Sequence, residues 1–247
     1  MKHPFSTVCV YGLPYLDATP TELRALLGAR LRDCPSTTIF TPNAKMGADC
    51  LASPELHLLM TQADLLLPDG AGVLMASRRQ TPHHPLTHRL PGIEAGEMVL
   101  RLCAELHLPV YFLGGRPTVA ALAAAEWQKR LPSLLVAGTH DGYFEKSGQE
   151  NESVVREINE SGASVVLVCL GFPRQERWIL ENRDALPHAR MLMGLGGSFD
   201  VWAGKVARAP RLVRALHLEW LWRSVLQPWR LKALPCMLRY AMGRAKG

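Results

Sequence analysis

With 247 residues, 48% of them in the hydrophobic classes and 20% charged, the chain has the composition of a globular protein that buries a large core, and one main domain is the default expectation. Six cysteines (Cys9, Cys34, Cys50, Cys103, Cys169, Cys236) show no C-x-x-C spacing, which argues against a disulfide framework or a zinc site and fits a reducing cytoplasm. The net charge of +6 is unevenly spread: residues 205–247 hold ten Lys or Arg against one acid, Glu219, a surplus of nine that leaves the rest at −3. A basic tail on a mildly acidic body is expected to meet an anionic surface, either lipid head groups or nucleic acid. No run approaches the ~18 consecutive apolar residues of a spanning helix, and Met1 to Phe5 lead into no apolar core of a secretory signal, so neither is expected.

In chain order, Thr7 to Tyr11 reads as a strand, and Thr19-Pro20-Thr21-Glu22 reads as a capping box with proline at the first helical position. The helix it opens runs through Leu23, Leu26, Leu27 and Leu31. Short apolar runs then recur, each ending in a turn and followed by a helical stretch: Thr37 to Phe40, Asp64 to Leu67, Val110 to Leu113, Leu134 to Val136, Val165 to Leu170 and Met191 to Leu195. Continuous apolar runs suit strands buried on both faces, so the predicted fold is α/β, a parallel sheet with helices on both faces. The tail places Leu212, Val213, Leu216, Trp220 and Leu221 at helical spacing, and after Pro228 does the same with Leu234, Met237, Leu238, Ala241 and Met242. Basic and tryptophan residues flank these stripes, which describes an interfacial helical appendage; a docked helix with a solvated basic face is the plainer alternative. The division is therefore a catalytic domain over 1–204 and a basic amphipathic segment over 205–247.

In a parallel sheet the loops after the strands gather along one edge, so the residues there are the site candidates. Gly114-Gly115 and Gly196-Gly197 follow strands and open helices, where backbone can approach a diphosphate, although each pair alone is more often an ordinary turn. Neither completes G-x-G-x-x-G opening a helix, and G-x-x-x-x-G-K-[ST] is absent. Asp69 is the carboxylate that ends the strand Asp64–Pro68, where partial desolvation would raise its base strength, and it is the candidate general base. Arg89 has the planar fork to hold a phosphate. Tyr143 could stack on a base, Gln175 could bond a sugar hydroxyl, Glu176 complements the dipole of its helix, and Asp200 could accept from a uracil or ribose, or merely cap a turn. No Asp-x-Asp pair is present to hold a diphosphate-bound metal, and the cluster His83, His84 and His88 lacks further ligands nearby, so it reads as loop and no metal or other cofactor is expected.

These residues carry a resemblance. Thr41-Pro42-Asn43-Ala44-Lys45, Ala63 to Gly70, Phe112 to Pro117, Gly138 to Phe144, Gly171-Phe172-Pro173-Arg174-Gln175-Glu176, Gly196 to Asp200 and Ala203 to Arg223 together resemble the bacterial N-acetylmannosaminyltransferase family, glycosyltransferase family 26, also called the WecG/TagA/CpsF family, over nearly the whole chain. The resemblance implies transfer of N-acetylmannosamine or its uronic acid from UDP to a polyprenyl-diphosphate-linked saccharide, with inversion, for cell-surface polysaccharide. It implies Asp69 as base, Thr41, Asn43 and Gln175 lining the sugar and acceptor pocket, and Arg89 facing the diphosphate. Tyr143 and Asp200 would hold the uridine, the glycines Gly114, Gly115, Gly171, Gly196 and Gly197 would line the edge, and Arg223 and Arg230 would come from the tail to meet diphosphate charge. It further implies a peripheral place on the cytoplasmic face of the plasma membrane, with self-association open. Gly92-Ile93-Glu94 departs from the family's Gly-x-Asp, and some relatives use glucose donors, so a glucosyltransferase of the same family is an alternative. An oxidoreductase is disfavoured for want of a dinucleotide fingerprint. A nucleic-acid-binding protein is disfavoured because the basic tail is apolar and rich in tryptophan.

Overall fold

The structure, a computed structural model, describes residues 6–33, 36–210, 213, 222 and 232–243. Its elements run β1 (Thr7–Val10), β2 (Leu13–Leu16), α1 (Pro20–Asp33), β3 (Thr38–Phe40), α2 (Ala44–Ala52), α3 (Pro54–Thr61), β4 (Leu65–Leu66), α4 (Ala71–Gln80), α5 (Gly92–Leu106) and β5 (Val110–Gly114). There follow α6 (Val119–Arg130), β6 (Val136–His140), α7 (Gly148–Glu160), β7 (Val165–Cys169), α8 (Arg174–Asn182), β8 (Met191–Gly194), α9 (Ser198–Trp202) and α10 (Leu234–Ala241). The eight strands form one sheet in the order β1-β2-β4-β3-β8-β7-β5-β6, with every neighbouring pair parallel except β1 and β2.

The central strands are apolar without alternation because both of their faces are covered. All five residues of β5 and all five of β7 are buried. Val110, Phe112, Val165 and Leu167 enter one core with leucines of α1, the apolar face of α5, the alanines of α6, and Phe199 and Trp202 of α9. Tyr111, Leu113, Val166 and Val168 enter a second core with residues of α2, α4, α7, α8 and α10. Each fully buried aliphatic side chain contributes roughly 1.5–3 kcal/mol, so a two-sided strand is a far stronger anchor than an edge one. The expected doubly covered parallel sheet is what forms.

The capping box at α1 forms as expected: Glu22 Oε2 receives Thr19 N–H at 2.7 Å and Thr19 Oγ1 receives Glu22 N–H at 3.2 Å. The strand expected over Asp64–Leu67 shortens to β4, because the Asp64 carboxylate instead receives both the N–H and the hydroxyl of Thr38, each at 2.8 Å, which pins β4 beside β3.

Two edges differ from the sequence expectation. β1 turns through Tyr11 and Gly12, both at positive φ, into an antiparallel partner β2 that the apolar pattern does not announce. At the other edge the strand expected over Leu134–Val136 lies further along, as β6. Every residue of β6 is half-buried, and Gly138 is required there because a Cβ would stand 2.5 Å from the Tyr111 ring. No described helix is long and apolar enough to cross a membrane.

The tail segment that the structure describes is docked. α10 packs on α2 and α4, and Tyr240 is fully buried between them with its ring so close to Gly47 that a Cβ there would stand 2.5 Å from it. The apolar stripe differs in one respect from the expected one: Tyr240 and Ala241 face the body while Leu238 is 45% exposed. Before it, Arg208 holds the segment to α5 through Glu94 at 3.2 Å and Glu97 at 2.8 Å.

Candidate active site

The loops leaving the parallel strands are laced together in sheet order. Asp69 N–H reaches Pro42 O at 3.3 Å, joining the loops after β4 and β3, and Asn43 and Asp69 form an isolated parallel bridge. Thr41 Oγ1 reaches Gly194 O at 3.4 Å, joining those after β3 and β8. Gly196 N–H donates to Gln175 Oε1 at 2.9 Å, joining β8 to β7. Gly115 N–H donates to Cys169 O at 2.9 Å and Gly142 N–H to Gly115 O at 2.8 Å, carrying the chain of contacts to β5 and β6. A Cβ on Gly114 would stand 2.4 Å from Cys169 O, so only glycine lets these two loops meet. The chain leaves β5 for α6 on one face and β7 for α8 on the other, which makes the edge between them the switch point where open α/β sheets take their ligands.

Within this edge the predicted residues fall into two groups. Thr41, Asn43 and Asp69 stand together in the loops that follow the adjacent strands β3 and β4. Leu90 N–H donates to Pro68 O at 2.8 Å, so the strap carrying Arg89 runs beside the Asp69 turn. Thr41 is buried against the start of α5, where a Cβ on Gly92 would stand 2.6 Å from its hydroxyl. Asn43 caps α2, its side-chain oxygen receiving Lys45 N–H at 3.0 Å and Met46 N–H at 3.2 Å. Asp69 is half-buried at the end of β4, and its charge is one of the influences that hold the Tyr15 phenol protonated, after burial, Tyr240 and Cys50.

The second group is Gly114, Gly115, Gly171, Gly196, Gly197 and Asp200. Gly115, Gly171 and Gly196 all have positive φ, and no side chain or backbone stands within 4 Å of where a Cβ would be on Gly171 or Gly196. Asp200, on the first turn of α9, has a buried Oδ1 without a hydrogen-bond donor, and Arg116 stands 3.9 Å from it. Tyr143 is 71% exposed on the loop after β6, five strand spacings or roughly 24 Å along the edge from β4. The structure does not bring Tyr143 together with Asp69. Arg223 and Arg230 lie outside the described residues.

Gln175 is 2% exposed, with both ends of its amide engaged: Oε1 with Gly196 and Nε2 donating to Glu176 Oε1 at 2.8 Å. Glu176 is fully buried, and burial pushes its carboxyl up to about 7 despite the amide that favours its ionised form. Sequence reasoning gave Glu176 only a helix-dipole role and did not find Arg116; the position of Arg116 directly after Gly114-Gly115 was the available signal. His83, His84 and His88 sit in the loop between α4 and α5, as expected.

Known proteins carry the same pattern. The sequence pattern of the Glycosyl transferase WecG/TagA/CpsF family matches residues 8–244. An N-acetylglucosaminyldiphosphoundecaprenol N-acetyl-beta-D-mannosaminyltransferase of Staphylococcus aureus (strain MRSA252) is 36% identical over 192 residues, 76% of this chain and 72% of that protein. A protein of the same description from Bacillus subtilis (strain 168) is 29% identical over 237 residues, 96% of this chain and 90% of its own. With a match that runs from β1 past α10 and takes in every loop of the laced edge, the chain belongs to the WecG/TagA/CpsF family of glycosyltransferases.

Proposed function

We propose that this protein transfers N-acetylmannosamine, or its uronic acid, from a UDP-sugar to N-acetylglucosaminyl-diphospho-polyprenol, with inversion and without a metal. The observation that carries the reading is the placement of Asp69 just past β4, bridged to Asn43 and flanked by Thr41 and the Arg89 strap, in a chain similar over most of its length to two N-acetylglucosaminyldiphosphoundecaprenol N-acetyl-beta-D-mannosaminyltransferases. In this reading the acceptor hydroxyl gives its proton to Asp69 while its oxygen bonds to the anomeric carbon. The bond from that carbon to the UDP oxygen breaks on the opposite face. The diphosphate leaves with the bonding electrons, and its charge is met by Arg89, by the open backbone of the glycine turns, and by Arg223 and Arg230 of the tail. Thr41 and Asn43 line the pocket for sugar and acceptor, Gln175 supports it from behind through the Gly196 turn, and Asp200 contacts the uridine. The tail, with its surplus of nine basic charges, keeps the enzyme at the anionic membrane surface where a polyprenyl acceptor lies.

The test is UDP release from a panel of UDP-sugars with a synthetic polyprenyl-diphosphate-N-acetylglucosamine acceptor, comparing the intact chain with Asp69→Asn. UDP-N-acetylmannosamine is expected to be consumed, and loss of the base is expected to lower kcat by roughly 10²–10⁴-fold. Turnover of UDP-glucose instead would keep the mechanism and replace the donor. Undiminished turnover in Asp69→Asn would remove the mechanism itself.

A further inference from the structure

We infer that Glu176 is a positioning residue for the glycine turn that follows β8, acting through the Gln175 amide. The inference rests on the reading of the edge as a glycosyl-transfer site, and the observations behind it are independent of that reading. A side-chain amide has two distinct ends, and which end faces which neighbour decides whether each bond forms. Gln175 lies between Glu176 Oε1, which accepts from its Nε2, and Gly196 N–H, which can only donate and so requires Oε1. The carboxyl therefore fixes the amide with Nε2 toward itself and Oε1 toward Gly196. Rotated by half a turn, the amide would oppose two donors across the Gly196 contact. The fit is close: a Cβ on Gly194 would stand 3.0 Å from Gln175 Nε2, so a larger residue there would press the amide out of place by a few tenths of an ångström.

The cost of the arrangement argues that it serves more than packing. Glu176 is fully buried, and its Oε2 has no hydrogen-bond partner. A buried carboxyl so poorly partnered is less favourable for the fold than an apolar side chain of the same length. What the carboxyl supplies, and an apolar chain cannot, is an acceptor aimed at Gln175. The beneficiary is the Gly194–Gly197 turn, whose Gly196 has positive φ and faces open space at the ligand edge.

Two variants separate positioning from folding. Glu176→Met keeps length and removes the acceptor; Glu176→Gln keeps an acceptor. The first readout is hydrogen exchange of the Gly196 amide by NMR, which does not depend on any activity. Protection of that amide is expected to fall at least about ten-fold beyond any global change in Glu176→Met and to be retained in Glu176→Gln. The second readout is UDP-sugar turnover, where kcat/KM is expected to fall about ten-fold or more in Glu176→Met while Tm stays level or rises, with Glu176→Gln within about three-fold of the parent. Unchanged Gly196 protection in a folded Glu176→Met overturns the inference, and so does a Glu176→Met that does not fold, because the role is then structural. A parent chain inert with every UDP-sugar, yet showing the exchange effect, would remove the proposed function and leave the positioning role standing.

Discussion

A carboxyl group held at zero exposure by α8 is unusual enough to have a measurable pH signature. The folded state raises the Glu176 carboxyl to about 7, whereas in the unfolded chain it titrates near its ordinary value of 4.5. Between these two the folded protein holds a proton that the unfolded chain has released, so stability is highest below the lower value and declines as pH rises to the upper one, after which this group adds no further change. The decline attributable to it is about 3 kcal/mol. Urea unfolding at a series of pH values from 4.5 to 8 is expected to show the stability gap between Glu176→Gln and the parent widening in favour of the variant and then levelling off. A constant gap would mean that Glu176 is ionised in the fold. The same residue shows where reading the sequence stops. Asp69, Thr41 and Asn43 were legible because they end strands, and strand ends can be found from apolar runs. Glu176 sits one residue past Gln175 on a helix, and nothing in the spacing distinguishes a solvated first-turn acid from one that is turned into the core.

Among the elements, the strands buried on both faces were legible, β2 was not and β6 was displaced, for one physical reason. β5 and β7 must be apolar throughout, and a run such as Val165-Val166-Leu167-Val168 has few other uses. β2, which lies between β1 and β4, and the edge strand β6 carry proline, glycine, threonine and histidine, and they are strands because neighbours pair with them. α10 belongs to the same class: its tyrosine, outside the expected apolar stripe, is the residue that anchors it. Tyr240 lies against Gly47 of α2, its hydroxyl is 3.5 Å from that of Tyr15, and its carbonyl receives the Tyr11 hydroxyl at 3.2 Å. Because the ring has no free space to move into, Gly47→Ala is expected to destabilise the protein by about 1–3 kcal/mol, opposing the gain that alanine normally brings inside a helix. Adding Tyr240→Leu should return part of that loss if the clash is the cause, and a double-mutant cycle in urea would show it as a coupling between the two positions. Additive effects would place the cost of Gly47→Ala elsewhere.

Taken whole, the molecule concentrates its basic charge in the tail. The α/β body, at −3, presents the ligand edge, and the tail, at +9, returns to that body through Arg208 on α5 and α10 on α2 and α4. α2 and α4 are the helices that begin directly after Asn43 and Gly70, so the docked part of the tail rests on the two elements that carry the candidate base and its neighbour. If the basic charge serves to hold this arrangement at a membrane, exposed cations of α10 and its approach must act on lipid without being needed for docking. Lys232 and Arg239 meet that condition, since both are exposed while Tyr240 and Ala241 make the buried contact. Each basic residue near an anionic surface contributes about 1 kcal/mol, so the double reversal Lys232→Glu with Arg239→Glu is expected to weaken binding to phosphatidylglycerol vesicles by at least about ten-fold at low salt, with Tm unchanged. The parent's own binding should fall steeply with added salt. Vesicle cosedimentation and DNA binding measured on the same two proteins would decide the partner: a parent that prefers DNA would overturn the membrane reading of the tail, and vesicle binding indifferent to both the reversal and salt would assign the attraction to apolar contacts instead of charge.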